Sequence, residues 1–350
     1  MFQYDVELDG SFGSGGGQIL RTALGLAVLT GKSCRIYNIR AKRKEAGLKE
    51  QHLQAVKALA TLCDATVKGA YLGSQQLEFI PRAVKETLLN IKITTAGSVG
   101  LVLQALLIPA VKYNLQLHIE GGATFGKWAP PIYYINSVLS YFLRKIGCDV
   151  DIKVLREGFY PKGGAIVDVS TKLKQIKLEK LVAAEKGKLL CIEGISVASQ
   201  SLKAARVAER QAEAASKLLY EKFKIKPEIA IRYDKTLCPG SGLQLWIETE
   251  NSRLGADSFG ERGKRSEIIG EEAAKKLIWE YEHGAVDSYA ADQLLPYLAL
   301  AGGKIAASKI TEHAKTNIVV IEKFLPVKFV VEGNLISVGQ VEQSSIRFKS

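Results

Sequence analysis

The chain has 350 residues, 47% of them hydrophobic and 24% charged, the composition of an ordinary globular protein long enough for two domains or for one large domain with an insertion. Lysine and arginine outnumber the acids, 48 to 36, for a formal charge of +12; this favours a polyanionic partner such as nucleic acid, or else is a solubility trait. Five cysteines with no Cys-x-x-Cys pair argue against a disulfide framework and a zinc knuckle. No run approaches the roughly 18 apolar residues of a membrane span, so a cytoplasmic protein with reduced thiols and no membrane contact is expected.

With Tyr4 to Leu8 as a first strand, the apolar periods predict a helix over 18–30, a strand near 34–39, a helix near 48–62 and strands near 65–68 and 76–80, a βαβαββ unit. The pattern recurs, with 91–94 extended, 99–112 helical, 115–120 extended, 132–146 helical, and strands near 149–155 and 165–170. Cys63-Asp64-Ala-Thr-Val and Cys148-Asp149-Val-Asp-Ile hold the same place in the two units, which marks an internal repeat. A third copy is visible only by skipping ahead, to helices over 287–300 and 312–324, an intervening strand near 304–308, and strands near 327–332 and 335–338.

The stretch between has its own pattern, with strands near 189–197, 228–233, 242–248 and 253–257, a long helix over 202–222 and another over 266–282. The expected fold is α/β (α+β): a large domain of three βαβαββ repeats, the third interrupted by a smaller inserted α+β domain. The corresponding boundaries are 1–183 for repeats 1 and 2 with the start of repeat 3, 184–284 for the insertion, and 285–350 for the rest. The mixed charges of the long helix read as a solvated face. Gly255 to Arg265 reads as a basic, glycine-containing loop, either touching a polyanion or simply turning.

Residues Leu8 to His52 join a glycine cluster to a helix and a basic run. Gly13, Gly15, Gly16 and Gly17 let backbone N–H groups approach an anion, and the following helix directs its positive end there. Arg21 lies one turn inside the helix, and Arg35, Arg40, Lys42, Arg43, Lys44 and Lys49 follow, a set suited to several phosphates. The cluster is neither a Walker A motif nor a dinucleotide fingerprint. A bare glycine turn is the competing reading, and the arginines tip it toward phosphate.

Of four histidines, His118 sits in strand alternation, and His283 meets a helix C-terminus, where the dipole favours it. His52 reads equally as a phosphate ligand or a surface residue. His313 comes just after a strand and in the first turn of a helix, the edge where α/β proteins keep active-site groups; the alternative is a neighbour of the capping residue Thr311. Two clusters stay open, a hairpin or aromatic loop over Arg156 to Gly164 and a helix start at Tyr289-Ala-Ala-Asp292-Gln293.

These strings in this order, Asp9-Gly-Ser-x-Gly-x-Gly-Gly-Gly-Gln18, Asn38-Ile-Arg40 with Arg43, Gly47-Leu with Gln51-His52, Gly158-Phe-Tyr-Pro-Lys-Gly-Gly164, Asp292-Gln293, and His313 with Thr316-Asn317, resemble the RNA 3′-terminal phosphate cyclase family over essentially the whole chain. The resemblance implies an ATP-dependent enzyme that converts an RNA 3′-phosphate end to a 2′,3′-cyclic phosphate through a histidine–AMP intermediate. His313 matches the nucleophile. Arg21, Arg40, Arg43 and Gln51 match positions expected to hold phosphates. Gln104, Pro131, Tyr289, Asp292 and Gln293 match positions lining the ATP site, with Pro131 and Tyr289 suited to flank the base. The family also implies a divalent metal, Mg²⁺ or Mn²⁺, and three repeats like those of enolpyruvate transferases.

Two positions depart from the pattern. Ser14 stands where the family usually has a glutamate associated with the metal, so the metal ligands are unknown, and Ala165 replaces a glycine. The rival readings are a non-catalytic cyclase-like protein of ribosome assembly, which would lack the histidine, and a small-molecule enolpyruvate transferase. Nothing in the sequence fixes the oligomeric state, and pairing of sheet edges into a homo-oligomer stays open.

Overall fold

The structure is a computed structural model that describes residues 3–127, 129–175 and 177–339. Its first sheet is built from β1 (Val6–Asp9), β2 (Cys34–Tyr37), β3 (Thr66–Lys68) and β4 (Leu77–Ile80) in the order β1-β2-β4-β3. β1 and β2 run parallel, while β4 is antiparallel to both of its neighbours. Helix α1 (Gln18–Thr30) makes the parallel crossover and α2 (Glu50–Leu62) follows β2.

The second sheet repeats this plan with β5 (Leu88–Ser98), β6 (Gln116–Ala123), β7 (Cys148–Arg156) and β8 (Ile166–Leu173) in the order β5-β6-β8-β7. Its crossover helix is α3 (Val99–Leu106). The second helical stretch runs through α4 (Ile132–Tyr134), a π-helical turn (Ile135–Leu139) and α5 (Ser140–Lys145), a local widening that the apolar period of 132–146 did not reveal.

The third sheet opens with β9 (Leu181–Ala183), which sequence periodicity did not mark as a strand. It pairs in parallel with a strand more than 100 residues later, and no local pattern encodes such a partner. Between them lies a sheet of β10 (Leu189–Ser199), β11 (Glu228–Asp234), β12 (Ser241–Thr249) and β13 (Arg253–Phe259), ordered β11-β10-β12-β13. Helices α6 (Val207–Phe223) and α7 (Ser266–His283) cover one face of it and enclose a separate apolar cluster that includes Ile192, Leu219, Leu245 and Leu277. The predicted helix over 202–222 begins only at Val207, because Arg206 takes a left-handed conformation at φ 50°. The predicted loop after Gly255 is strand as far as Phe259.

The chain then returns through α8 (Ser288–Gln293), α9 (Leu295–Ala301), β14 (Gly303–Ala306), α10 (Glu312–Phe324), β15 (Phe329–Glu332) and β16 (Leu335–Val338). The order β15-β16-β14-β9 completes a third βαβαββ unit around the insertion. Strand β5 turns alternate residues inward over its first half, and the helices of the repeats pack against one another. α1 is buried from Gln18 to Leu29, as a helix apolar on all sides must be, and it touches α2, α3 and α10. This central packing brings the start of α1 to the start of α10. Among the described residues no helix is long and apolar enough to cross a membrane.

Candidate active site

The glycine loop before α1 lies directly against α10. Gly13 has φ +54°, and a Cβ there would come within 2.3 Å of Thr316 Oγ1, so only glycine fits both the backbone and the contact. The Ser14 N–H donates to Thr316 Oγ1 at 3.4 Å, and Arg43 Nη2 donates to the Ser14 carbonyl at 2.9 Å. Gly17 begins α1 with no side-chain cap, leaving the first N–H groups of the helix free of a capping oxygen.

His313 projects from the first turn of α10, whose N-cap Thr311 accepts the Ala314 N–H at 3.0 Å. The capping role and the histidine thus coexist. The His313 side chain is 47% exposed, and its Nδ1 stands 4.0 Å from Asp292 Oδ2. Burial, followed by the fields of Arg21 and Arg43, lowers its pKa, so the imidazole is neutral at pH 7 and its lone pair is available.

Arg21, 9% exposed, donates from Nε to Gln104 Oε1 at 3.2 Å. Burial pushes its pKa down to about 10, against the opposing pull of Asp292. Asp292 accepts from Asn317 Nδ2, and burial raises its pKa to about 6 despite Arg21. Gln18 Nε2 donates to the His313 carbonyl at 2.8 Å, and Thr22 Oγ1 to Asn317 Oδ1 at 2.9 Å. Gln18, Arg21, Gln104, Asp292, Gln293 and Asn317 line a cavity of about 20 Å³, room for a single water.

Of the sequence candidates, Arg21, Gln104, Asp292, Gln293 and His313 therefore meet at one place, with Arg43 at its edge. Arg40, at φ 55°, donates to the Gly47 carbonyl at 2.8 Å and adds to the positive field at His52. His52 itself is neither a surface residue nor an open ligand. It is buried, its Nδ1 accepts the Lys49 N–H at 3.1 Å, and burial with Arg21, Arg40 and Lys49 nearby drops its pKa to about 3.

Gln51 accepts the Ser98 N–H at 3.0 Å and lines a separate cleft of about 1330 Å³ with Phe125, Tyr160 and Arg262. Pro131 is the residue before α4, and Tyr134 of α4 meets Tyr289 edge-on, ring centroids 5.3 Å apart. His118 and His283 sit elsewhere, bound to Asp168 and to the Trp279 carbonyl.

Sequence reasoning gave no role to Gln18 or Asn317, although both stand in quoted motifs. For Gln18 the available signal was a polar residue on a mostly apolar helix; Asn317, on the mixed-polarity α10, carried none. Gln18 Oε1, Gln293 Oε1 and Ser14 Oγ are buried without a partner among the described residues, and unpaired polar atoms of this kind are costly unless a ligand answers them. Amide oxygens and a hydroxyl beside the buried Arg21 and the exposed Arg43 fit a polyanion that also brings hydrogen-bond donors.

Groups able to hold a divalent ion are sparser. Asp292 is the carboxylate facing His313, and it is already engaged. The one grouped set among the described residues, Cys191, Glu193 and Glu248, lies in the inserted sheet. There Glu193 takes Trp246 Nε1 at 2.8 Å, and Glu248 pairs with Arg253.

A family profile described as RNA 3′-terminal phosphate cyclase matches residues 12–331. A relative of that name from Pyrococcus abyssi is 44% identical over 341 residues, 96% of this chain and 98% of its own. Others are 45% identical in Thermococcus gammatolerans (96% and 97% covered) and 46% in Staphylothermus marinus (92% and 92%). Matched by the family profile over most of its length and by relatives of 44–46% identity, the chain belongs to the RNA 3′-terminal phosphate cyclase family.

Proposed function

We propose that the protein converts an RNA 3′-phosphate end to a 2′,3′-cyclic phosphate at the expense of ATP, through AMP carried on His313. A phosphate monoester is a poor electrophile toward its own 2′-hydroxyl, and adenylylation turns AMP into the leaving group. In the first step a neutral ring nitrogen of His313 attacks the α-phosphorus of ATP. A P–N bond forms, the P–O bond to the β-phosphate breaks, and pyrophosphate leaves. Because Nδ1 faces Asp292, the attacking atom is assigned to Nε2.

An oxygen of the RNA 3′-phosphate then attacks the AMP phosphorus and breaks the P–N bond, returning the imidazole. The 2′-oxygen finally attacks the 3′-phosphorus, expels AMP and loses its proton. Arg21 and Arg43 answer the charge on the transferring phosphoryl groups, where fixed cations in a partly dry site are most effective. Arg40 and Gln51 hold phosphate of the RNA end. Gln104, Asp292 and Gln293 position the nucleotide, with Pro131 and Tyr289 flanking its base. The 20 Å³ cavity is too small for a nucleotide, so ATP lies on the open side where His313 is exposed.

A divalent ion, Mg²⁺ or Mn²⁺, would supply charge neutralisation at the phosphates. With Ser14 in place of a carboxylate, the protein would add little to its coordination. The cytoplasm is the compartment that suits this chemistry and its reduced thiols.

The observation that carries the reading is a neutral histidine at a helix start, near the buried Arg21 and the exposed Arg43, in a chain of this family. The test is incubation with ATP labelled at the α-phosphate and Mg²⁺ or Mn²⁺. Wild type is expected to take up covalent AMP and His313→Ala none. An unlabelled wild type would sink the mechanism and favour the non-catalytic reading, while label retained by His313→Ala would place the nucleophile elsewhere.

A further inference from the structure

The insertion carries no motif with an obvious chemistry, yet the face of its sheet turned away from α6 and α7 is anchored to the nucleotide side of the site through one buried carboxylate. Asp287, fully buried, accepts four donors: Tyr134 Oη at 2.7 Å, the Tyr289 and Ala290 N–H groups at 2.9 and 2.8 Å, and the Gly255 N–H at 2.8 Å. Two of these cap α8, one comes from the second repeat, and one comes from β13 of the inserted sheet. Two residues along β13, buried Asp257 takes the hydroxyl of Tyr289. Tyr289 is thus fixed by its backbone, its ring and its hydroxyl, and β13 supplies or supports two of the three.

Gly255 makes the approach possible. A Cβ there would come within 2.8 Å of Val138 and 3.1 Å of the Tyr134 ring, so a larger residue would push β13 away from Asp287. Helix α8 spans only Ser288–Gln293, too short to hold its shape alone. Asp292, on that short helix, faces His313 and Arg21. A carboxylate buried on backbone and tyrosine donors is expensive to retain, which argues that it serves an arrangement rather than bulk stability.

We propose that Asp287 is a positioning residue for the ATP step: it ties the inserted strand β13 to α8, so that the insertion sets the placement of Tyr289 and Asp292 at the nucleotide. The assignment of those two residues to ATP rests on the function proposed above.

The test uses Asp287→Asn and Gly255→Ala in the full-length protein. Asparagine still caps α8 through its side-chain oxygen, but its amide N–H₂ faces the Gly255 N–H, so the cap survives and the tie to β13 is lost. Gly255→Ala breaks the same tie from the other side. Three readings are taken: equilibrium binding of ATP, thermal unfolding, and the rate at which AMP passes from adenylylated enzyme to a 3′-phosphate oligonucleotide. The expected result is ATP binding weakened about tenfold in both variants, with AMP transfer to RNA changed less than twofold.

Equal loss in both readings, or ATP affinity unchanged in either variant, would overturn the proposal. ATP binding is read without any need for covalent transfer. A wild type that binds ATP but takes up no AMP therefore defeats the cyclase mechanism alone, and weakened ATP binding in the variants would still support the tie. A wild type that binds no ATP defeats both.

Discussion

Two regions of this molecule bury charge in opposite ways. In the basic region around the glycine loop, Arg21, His52 and His313 all have lowered pKa values, with burial as the first cause and neighbouring cations adding to it at the two histidines. Where the insertion meets the repeats, Asp287, Asp257 and Glu157 all have raised values, again with burial first. The shifts alone do not separate the regions, but the hydrogen bonds do. Asp287 collects four donors, and Glu157 takes Thr124 and Tyr133 while Arg232 stands at 3.7 Å. Arg21 has five donors, and the acceptor it meets among the described residues is Gln104. One region is electrostatically finished and holds the structure together; the other is left short of anions and can receive them.

The largest test of that contrast is Arg21→Met. A buried guanidinium with so few partners adds little to folding, and a flexible apolar side chain of similar length is expected to leave stability within about 1 kcal/mol. AMP transfer to the protein should nevertheless fall about 10²- to 10³-fold, the usual loss when a group that meets developing phosphoryl charge is removed. Urea unfolding and single-turnover labelling measure the two sides. A variant that unfolds easily but still labels would make Arg21 a residue of the fold rather than of the phosphate site.

The division between the regions also follows what could be read along the chain. Helices α1 and α10 begin and end where periodicity and their flanking signals put them, Gly17 and Gly31 for one and Thr311 for the other, because those signals are local. β9 escaped notice because its partner, β14, lies across the whole insertion. At the site, the glycines, arginines and His313 stand in short recognisable strings. The ties of Asp287 to Tyr134 and Gly255, and of Tyr289 to Asp257, join three distant segments. Asp287 was legible only as the first residue of the helix predicted over 287–300, where the structure makes it the N-cap, and nothing near Gly255 in sequence signals that its N–H is needed.

A second, smaller effect concerns His52. Its folded pKa of about 3 lies below the ordinary 6.5, so between those values the unfolded chain binds a proton that the native protein refuses. The stability this histidine contributes is complete above pH 6.5 and is lost as pH falls toward 3. Replacement by glutamine, which cannot be protonated, should flatten that loss. The gap in unfolding free energy between pH 7 and pH 5 should shrink by about 2 kcal/mol relative to wild type. An unchanged gap would mean that His52 does not sit among uncompensated cations, and the basic region would be less short of anions than its geometry indicates.

The smallest effect, and the most direct probe of that shortage, comes from adding an anion with Ser14→Glu. The Ser14 hydroxyl is buried without a partner among the described residues, and its carbonyl takes Arg43, so a glutamate here enters the basic region itself. Two outcomes compete for its carboxylate. If a divalent ion sits at the nucleotide phosphates nearby, the added ligand should lower the Mg²⁺ or Mn²⁺ concentration needed for half-maximal labelling by about three- to tenfold. If the arginines capture it instead, the metal titration will not move, and ATP will bind more weakly because Arg43 is already neutralised. That second result would count against a metal site at this position. It would also show that the region's affinity for anions resides in its arginines, with the metal belonging to the nucleotide.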